Sequence, residues 1–170
     1  AEVAATCAPT MSSRSGLGID VHPLVEGRAL VLGSVVVPHD RGLSGHSDGD
    51  VLIHATIDAL LGGAGLGDIG THFPPGDPKY EGIASGKLLT ATVELLETHH
   101  WRAQYLDATI LAERPTLKPF MGQIKEALAG LLGLDPTLVN VKATTTDALG
   151  FVGRGEGIAS MVLATLESLE

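Results

Sequence analysis

Gly16-Leu17-Gly18-Ile19-Asp20-Val21-His22, followed by Gly45-His46-Ser47-Asp48-Gly49-Asp50-Val51-Leu52-Ile53-His54, is the stretch on which the reading of this chain turns. The first run reads as a strand, in which residues two apart leave the same face, so the carboxylate of Asp20 and the imidazole of His22 point together. His54 falls in an apolar-periodic run that reads as a helix. Either element alone is a weak signal, since D-x-H is common and a lone helix histidine is more often held by carboxylates on its own face. Together, an Asp and two His from packed elements form a ligand set suited to zinc with one position open, as in catalytic rather than structural sites.

Residues 29 to 37 are rich in β-branched side chains and stand after a polar Glu26-Gly27-Arg28 break, so with 16 to 22 they read as a two-stranded hairpin. Ser47, with Asp50 three residues on, reads as the cap of a helix that ends at Gly62-Gly63. Asp50, His54 and Asp58 share one helix face, which makes Asp50 or Asp58 a partner for an imidazole N–H. Residues 64 to 85 carry too much Gly, Pro and Asp for an ordered helix over most of their length; loops this long in a small domain are usually functional or mobile. Beyond them the pattern predicts a helix over 86 to 99, a strand over 103 to 113, a helix over 119 to 132, a strand over 138 to 145 and a last strand over 157 to 168. The sum is an α+β fold with α/β-type packing: one mixed sheet of about four main strands, an N-terminal hairpin and three main helices on one face.

Two further clusters carry chemistry. His46 and Ser47 precede a helix, where amide N–H groups and the positive end of the dipole favour an anion; the plainer reading is a capping serine beside a solvated histidine. Lys142-Ala143-Thr144-Thr145-Thr146-Asp147, followed by the glycine-laced turn through Phe151 and Arg154 to Gly157, ends a strand in three hydroxyls and a carboxylate. Such groups can hold phosphate oxygens and, at Asp147, a magnesium ion, although an ordinary turn with Arg154 paired to Glu156 accounts for them equally well.

The chain of 170 residues is 44% hydrophobic and fits a single domain, taken as 16–170 after a small, polar, flexible tail at 1–15. Twenty acidic residues against 11 basic ones give a net charge of −9, which argues against a general grip on nucleic acid or an anionic membrane. The single Cys7 cannot form an intramolecular disulfide, and no apolar run is long enough to span a bilayer, so a reducing, soluble compartment is expected.

With these motifs assembled, the chain resembles the 2-C-methyl-D-erythritol 2,4-cyclodiphosphate synthase family of the non-mevalonate isoprenoid pathway. The resemblance runs from Gly16 to about Leu169 and rests on G-x-G-x-D-x-H, H-S-D-G-D-x-x-x-H, L-G-D-I-G-x-x-F-P, K-A-T-T-T and G-F-x-G-R-G-E-G in that order. It implies a homotrimer with active sites between subunits. It also implies a reaction in which the substrate's 2-phosphate attacks the β-phosphate of its cytidine diphosphate arm, giving a cyclic diphosphate and CMP.

Carried onto this sequence, the resemblance makes Asp20, His22 and His54 the ligands of one zinc per subunit and Asp147 a ligand of a second divalent ion, magnesium or manganese, that comes with substrate. His46 and Thr145 would stabilise the transition state, and Ser47 would hold the erythritol phosphate end. Asp68, Ile69, Gly70, Phe73 and Asp77 would line a loop over the methylerythritol. Ala112, Pro115, Thr116, Leu117 and Lys118 would form the cytosine pocket, and Thr144, Thr145, Thr146 and Asp147 would meet the diphosphate. Phe151 and Arg154 would stand near a trimer axis able to take an isoprenoid diphosphate. The family pattern is departed from at Pro75, Thr116 and Asp147. The implied setting is a bacterial cytoplasm, or alternatively a plastid stroma. Two rival readings remain, a zinc phosphoester hydrolase with Asp50 or His46 as general base and a trimeric isoprenoid-binding protein.

Overall fold

The computed structural model describes residues 13–169. Its main sheet has five strands in the order β4-β1-β7-β5-β6: β1 (Ser13–Glu26), β4 (Arg41–Leu43), β5 (Trp101–Leu111), β6 (Val139–Thr144) and β7 (Gly157–Ser168). All neighbours are antiparallel except β5 and β6, which run parallel because the chain crosses between them through helix α4 (Met121–Leu132). Helix α1 (Val51–Ala64) lies against β1 and β7, helix α3 (Ser85–Thr98) against α1 and β5, and α4 against β6. The mixed sheet with its helical layer is the α+β architecture expected from the sequence.

Several boundaries differ from the sequence expectation. The run 29 to 37 does not pair with 16 to 22: β2 (Leu30–Leu32) and β3 (Val35–Val37) fold back on each other through Gly33-Ser34, while β1 takes β7 and β4 as partners. Both residues of that turn have positive φ, the backbone that lets a two-residue connection reverse a chain. Strand β1 also begins at Ser13, because Ser13 to Ser15 pair with Thr165 to Glu167; the expected tail at 1–15 is thus strand at its last three positions, and residues 1–12 lie outside the described part. Helix α1 is capped by Asp50 rather than Ser47, and it passes through Gly62 and Gly63 to end at Gly65 in the left-handed conformation. The long loop contains one short helix, α2 (Ile69–His72), and a single 3-10 turn at Pro78–Tyr80.

The core lies between the sheet and the helices, where Leu52, Ile57, Leu60, Leu89, Leu106 and Ile110 are fully buried. The other face of the sheet is also apolar but open. Leu17, Ile19 and Val21 on β1 stand about half exposed beside Met161 and Leu163 on β7, with Leu17 opposite Leu163 and Ile19 opposite Met161. Contiguous apolar surface of this kind marks an association face more often than it marks open solvent.

Candidate active site

The alternation of β1 places the site. Gly16, Gly18, Asp20 and His22 all face α1, and the two glycines are required because the helix backbone lies directly on them: a Cβ on Gly16 would come within 2.0 Å of the Ala59 carbonyl oxygen, and one on Gly18 within 1.9 Å of that of Ala55. Two strand residues advance about 6.6 Å and four helix residues about 6 Å, so strand and helix stay in step along the contact. The same face carried two residues further brings Asp20, and then His22, beneath the first turn of α1, where His54 projects.

The three side chains converge. Nε2 of His22 is 2.7 Å from Oδ2 of Asp20, Nδ1 of His54 is 3.1 Å from the same oxygen, and the two nitrogens are 3.1 Å apart. Among the described residues these form the group able to hold a metal ion. The geometry fits that use, since ligand atoms bonded at about 2.0–2.1 Å to a tetrahedral ion lie about 3.3 Å from one another. The far sides of both rings are occupied: Nδ1 of His22 meets the carbonyl oxygen of Ser44, and Nε2 of His54 lies 3.0 Å from the hydroxyls of both Ser47 and Ser85. The inner nitrogens, Nε2 of His22 and Nδ1 of His54, face the centre.

The expected role of Asp50 or Asp58 as partner of an imidazole is therefore corrected. Asp50 is fully buried and accepts the N–H groups of Gly33, Ser34 and Ile53, and Asp58 accepts that of Ile69. Both are on the helix face expected, but backbone N–H groups that lack a carbonyl partner in a ladder or helix take up their carboxylates. Burial raises the pKa of Asp50 to about 6 against the lowering effect of its three amide donors, and burial also raises that of Asp58. At the centre itself, burial would raise the Asp20 carboxyl, but hydrogen bonds to His22 and His54 outweigh it and hold the pKa well below the usual range. Burial would lower His22, and Asp20 reverses that to a net rise.

Around the centre is a cavity of about 240 Å³ lined by Asp20, His22, His46, Ser47 and His54 with Ile69, Gly70, Phe73, Pro75, Tyr80 and Leu88. The ring of Tyr80 stands edge-on to Phe73, 5.5 Å between centroids. His46 is exposed at the rim, its Nε2 3.0 Å from the Asp77 carbonyl oxygen. Asp68 and Asp77 do not line the cavity; their carboxylates cap short helical turns by accepting the N–H groups of Thr71 and Lys79. Arg28, which sequence reading passed over, donates to the carbonyl oxygens of Gly45 and Ser47 and so holds the loop carrying His46. Ser85, Tyr80 and Leu88 were missed as well, because each comes from a segment remote in sequence with no motif around it.

Ala112, Pro115, Thr116, Leu117, Lys118, Thr144 and Thr145 line a second cavity, about 380 Å³, formed where β5 and β6 end. Val21, Ala159, Leu111 and Thr144 are in register across the sheet, so the two cavities open at the same end with strands β7 and β5 between β1 and β6, about 14 Å in all. Thr146 and Asp147 lie beyond the second cavity in an exposed turn, where Asp147 and Ala148 both have positive φ. Phe151 and Arg154 are farther on, and Arg154 is paired with Glu156 at 2.8 Å. One chain thus gathers the Asp20, His22 and His54 cluster and the loop beside it, but keeps the β5–β6 pocket apart.

The YgbB family model matches residues 13–167. The 2-C-methyl-D-erythritol 2,4-cyclodiphosphate synthase of Desulfatibacillum aliphaticivorans is 54% identical over 154 residues, covering 91% of this chain and 99% of that protein. The solved structure of the bifunctional IspDF from Campylobacter jejuni shares the fold at a TM-score of 0.90 and 40% identity, over 94% of this chain and 43% of that one. A CDP complex of IspF from Plasmodium falciparum does so at a TM-score of 0.81 and 27% identity, over 94% and 98% of the two chains.

Proposed function

The chain belongs to the YgbB family, and from this we infer its activity: it is a cyclodiphosphate synthase of isoprenoid biosynthesis, a lyase that forms 2-C-methyl-D-erythritol 2,4-cyclodiphosphate. The substrate in this reading is 4-diphosphocytidyl-2-C-methyl-D-erythritol 2-phosphate. An oxygen of its 2-phosphate forms a bond to the β-phosphorus, the bond from that phosphorus to the bridging oxygen breaks, and CMP leaves with the electron pair. The convergence of Asp20, His22 and His54 within about 3 Å of one another at the floor of a cavity carries the reading at this site.

Those three residues would hold zinc. The ion would supply positive charge to phosphate oxygens as charge develops in the transfer. Because nucleophile and target belong to one molecule, the protein has only to fold the substrate and balance its charge. Ser47 and the amides of its loop would receive the phosphate on the methylerythritol, with Ile69, Gly70 and Phe73 against the carbon skeleton, and Asp68 and Asp77 shaping that loop. Ala112 to Lys118 would take cytosine. His46 and Thr145 would stabilise the transition state, and Thr144, Thr146 and Asp147 the diphosphate, Asp147 with magnesium or manganese.

The two pockets of one chain are too far apart for one side chain to serve both. We therefore propose that the site is completed by a second copy in a homotrimer built on the open apolar face of Leu17, Ile19, Met161 and Leu163. Phe151 and Arg154 would lie by its axis, where an isoprenoid diphosphate could dock. The proposed setting is the bacterial cytoplasm; among the described residues no helix is long and apolar enough to cross a membrane. The hydrolase reading is not favoured, because the relatives are synthases. Incubation with the cytidylylated substrate decides between them: CMP and the cyclic diphosphate are expected, and linear hydrolysis products would overturn the cyclase reading.

A further inference from the structure

The two imidazoles at the centre are oriented by different means. Nδ1 of His22 faces a backbone carbonyl, that of Ser44, which has no proton to give, so its tautomer follows directly. Nε2 of His54 faces two hydroxyls, Ser47 and Ser85, each at 3.0 Å and 3.1 Å from each other. A hydroxyl can donate or accept, and these contacts by themselves leave the tautomer of His54 open. The alternative is a real competitor, because a proton on Nδ1 would find Oδ2 of Asp20 at 3.1 Å. In that form no lone pair would face the centre.

Counting protons resolves the choice. Oγ of Ser85 is 2.5 Å from Oδ1 of Asp48, and a carboxylate only accepts. The one proton of Ser85 therefore goes to Asp48, and the hydroxyl shows only lone pairs to His54 and Ser47. Ser47 brings a single proton, which cannot serve both Ser85 and a bare Nε2, and a bare Nε2 would also set its lone pair against that of Ser85. With an N–H on Nε2, His54 and Ser47 each have a proton to offer and every contact of the triangle has a donor, so Nδ1 carries the lone pair towards Asp20 and His22. Asp48 is itself held by the backbone N–H groups of Ser85, at 3.0 Å, and Asp50, at 3.2 Å, so it fastens the start of α3 to the turn before α1.

We propose that Asp48 is a positioning residue for the metal centre, setting through Ser85 the tautomer in which His54 can bind a metal. This rests on Asp20, His22 and His54 being the metal ligands. It gives the first Asp of H-S-D-G-D a role distinct from the second, Asp50, which serves the backbone.

The test compares wild type, Asp48→Asn and Ser85→Ala by imidazole nitrogen NMR of the metal-free protein and by competitive zinc titration. The side-chain amide introduced by Asp48→Asn can donate to Ser85 and so reverses the chain of hydrogen bonds, while Ser85→Ala removes its middle member but leaves Asp48 its amide partners. The wild type is expected to hold His54 with the proton on Nε2. Both variants should move it to Nδ1 and lose about 10- to 100-fold in zinc affinity. If one variant fails to fold, the other decides. Retention of the Nε2–H form and of zinc affinity within about twofold in the folded variants would overturn the proposal. A wild type that binds no zinc would overturn the metal reading instead, and the tautomer measurement would still judge Asp48.

Discussion

At the level of single residues, the centre is an acid and a base held in opposite directions by each other. Burial opposes the charge on both, yet their contact leaves Asp20 below its ordinary value of 3.8 and His22 above 6.5. The His22 contribution to metal-free stability is complete below 6.5 and is lost as pH rises through its raised pKa; that of Asp20 is complete above 3.8 and lost as pH falls through its lowered one. The pair thus stabilises metal-free protein most between those two values. Zinc needs His22 without its proton, so affinity should fall about tenfold per pH unit once pH drops below the raised pKa of His22. Thermal denaturation across pH with and without zinc checks both signs, and metal-free stability that rises with pH above neutrality would contradict them. Asp50 makes a separate prediction. Its replacement by Ala strands the N–H groups of Gly33, Ser34 and Ile53, two of them in buried contacts, at a cost of about 2 kcal/mol or more, measured by denaturant unfolding. A loss below about 1 kcal/mol would show that water replaces the carboxylate.

Among the elements, one strand and one helix make the site. Gly16 and Gly18 do no chemistry; they let α1 rest on β1 closely enough for His54 to reach Asp20 and His22. In Gly18→Ala the added methyl meets the Ala55 carbonyl, so α1 must lift, with a loss of about 3 kcal/mol and weaker zinc binding as His54 withdraws. Calorimetry and zinc titration measure the two effects, and a variant equal to the parent in both would show that the contact is dispensable. The G-x-G-x-D-x-H pattern was legible as one strand face with its chemistry at one end, since alternation is a local property. The partners of that strand were not. Hairpin pairing of 16 to 22 with 29 to 37 was a local guess, whereas β7, from the far end of the chain, offers β1 an eleven-pair ladder. Likewise Ser47 looked like the cap because the motif is local, but Asp50 takes that place and bonds the β2–β3 turn as well.

In the molecule as a whole, the helical layer closes one face of the sheet and leaves the other apolar and open. On the proposed trimer, Leu163→Asp places a carboxylate in that face, far from the metal ligands. It should give monomers by sedimentation that still bind zinc but turn over at least about 100-fold more slowly, because the cytosine pocket of a neighbour is lost. Monomers with parental turnover would reject a shared site.

Strand alternation, helix periodicity and motif spacing are set by neighbours along the chain, so the order and type of the main elements, the grouping of Asp20, His22 and His54, and the family were all readable before any fold was known. Folding alone established that Ser44, Ser47 and Ser85 orient the imidazoles, that Arg28 holds the His46 loop, and that the β5–β6 pocket stands apart from Asp20, His22 and His54. Those facts depend on which surfaces meet when β1 pairs with β7 and α3 docks on α1. Such meetings are driven by the burial of distant segments together and leave no local mark in the sequence.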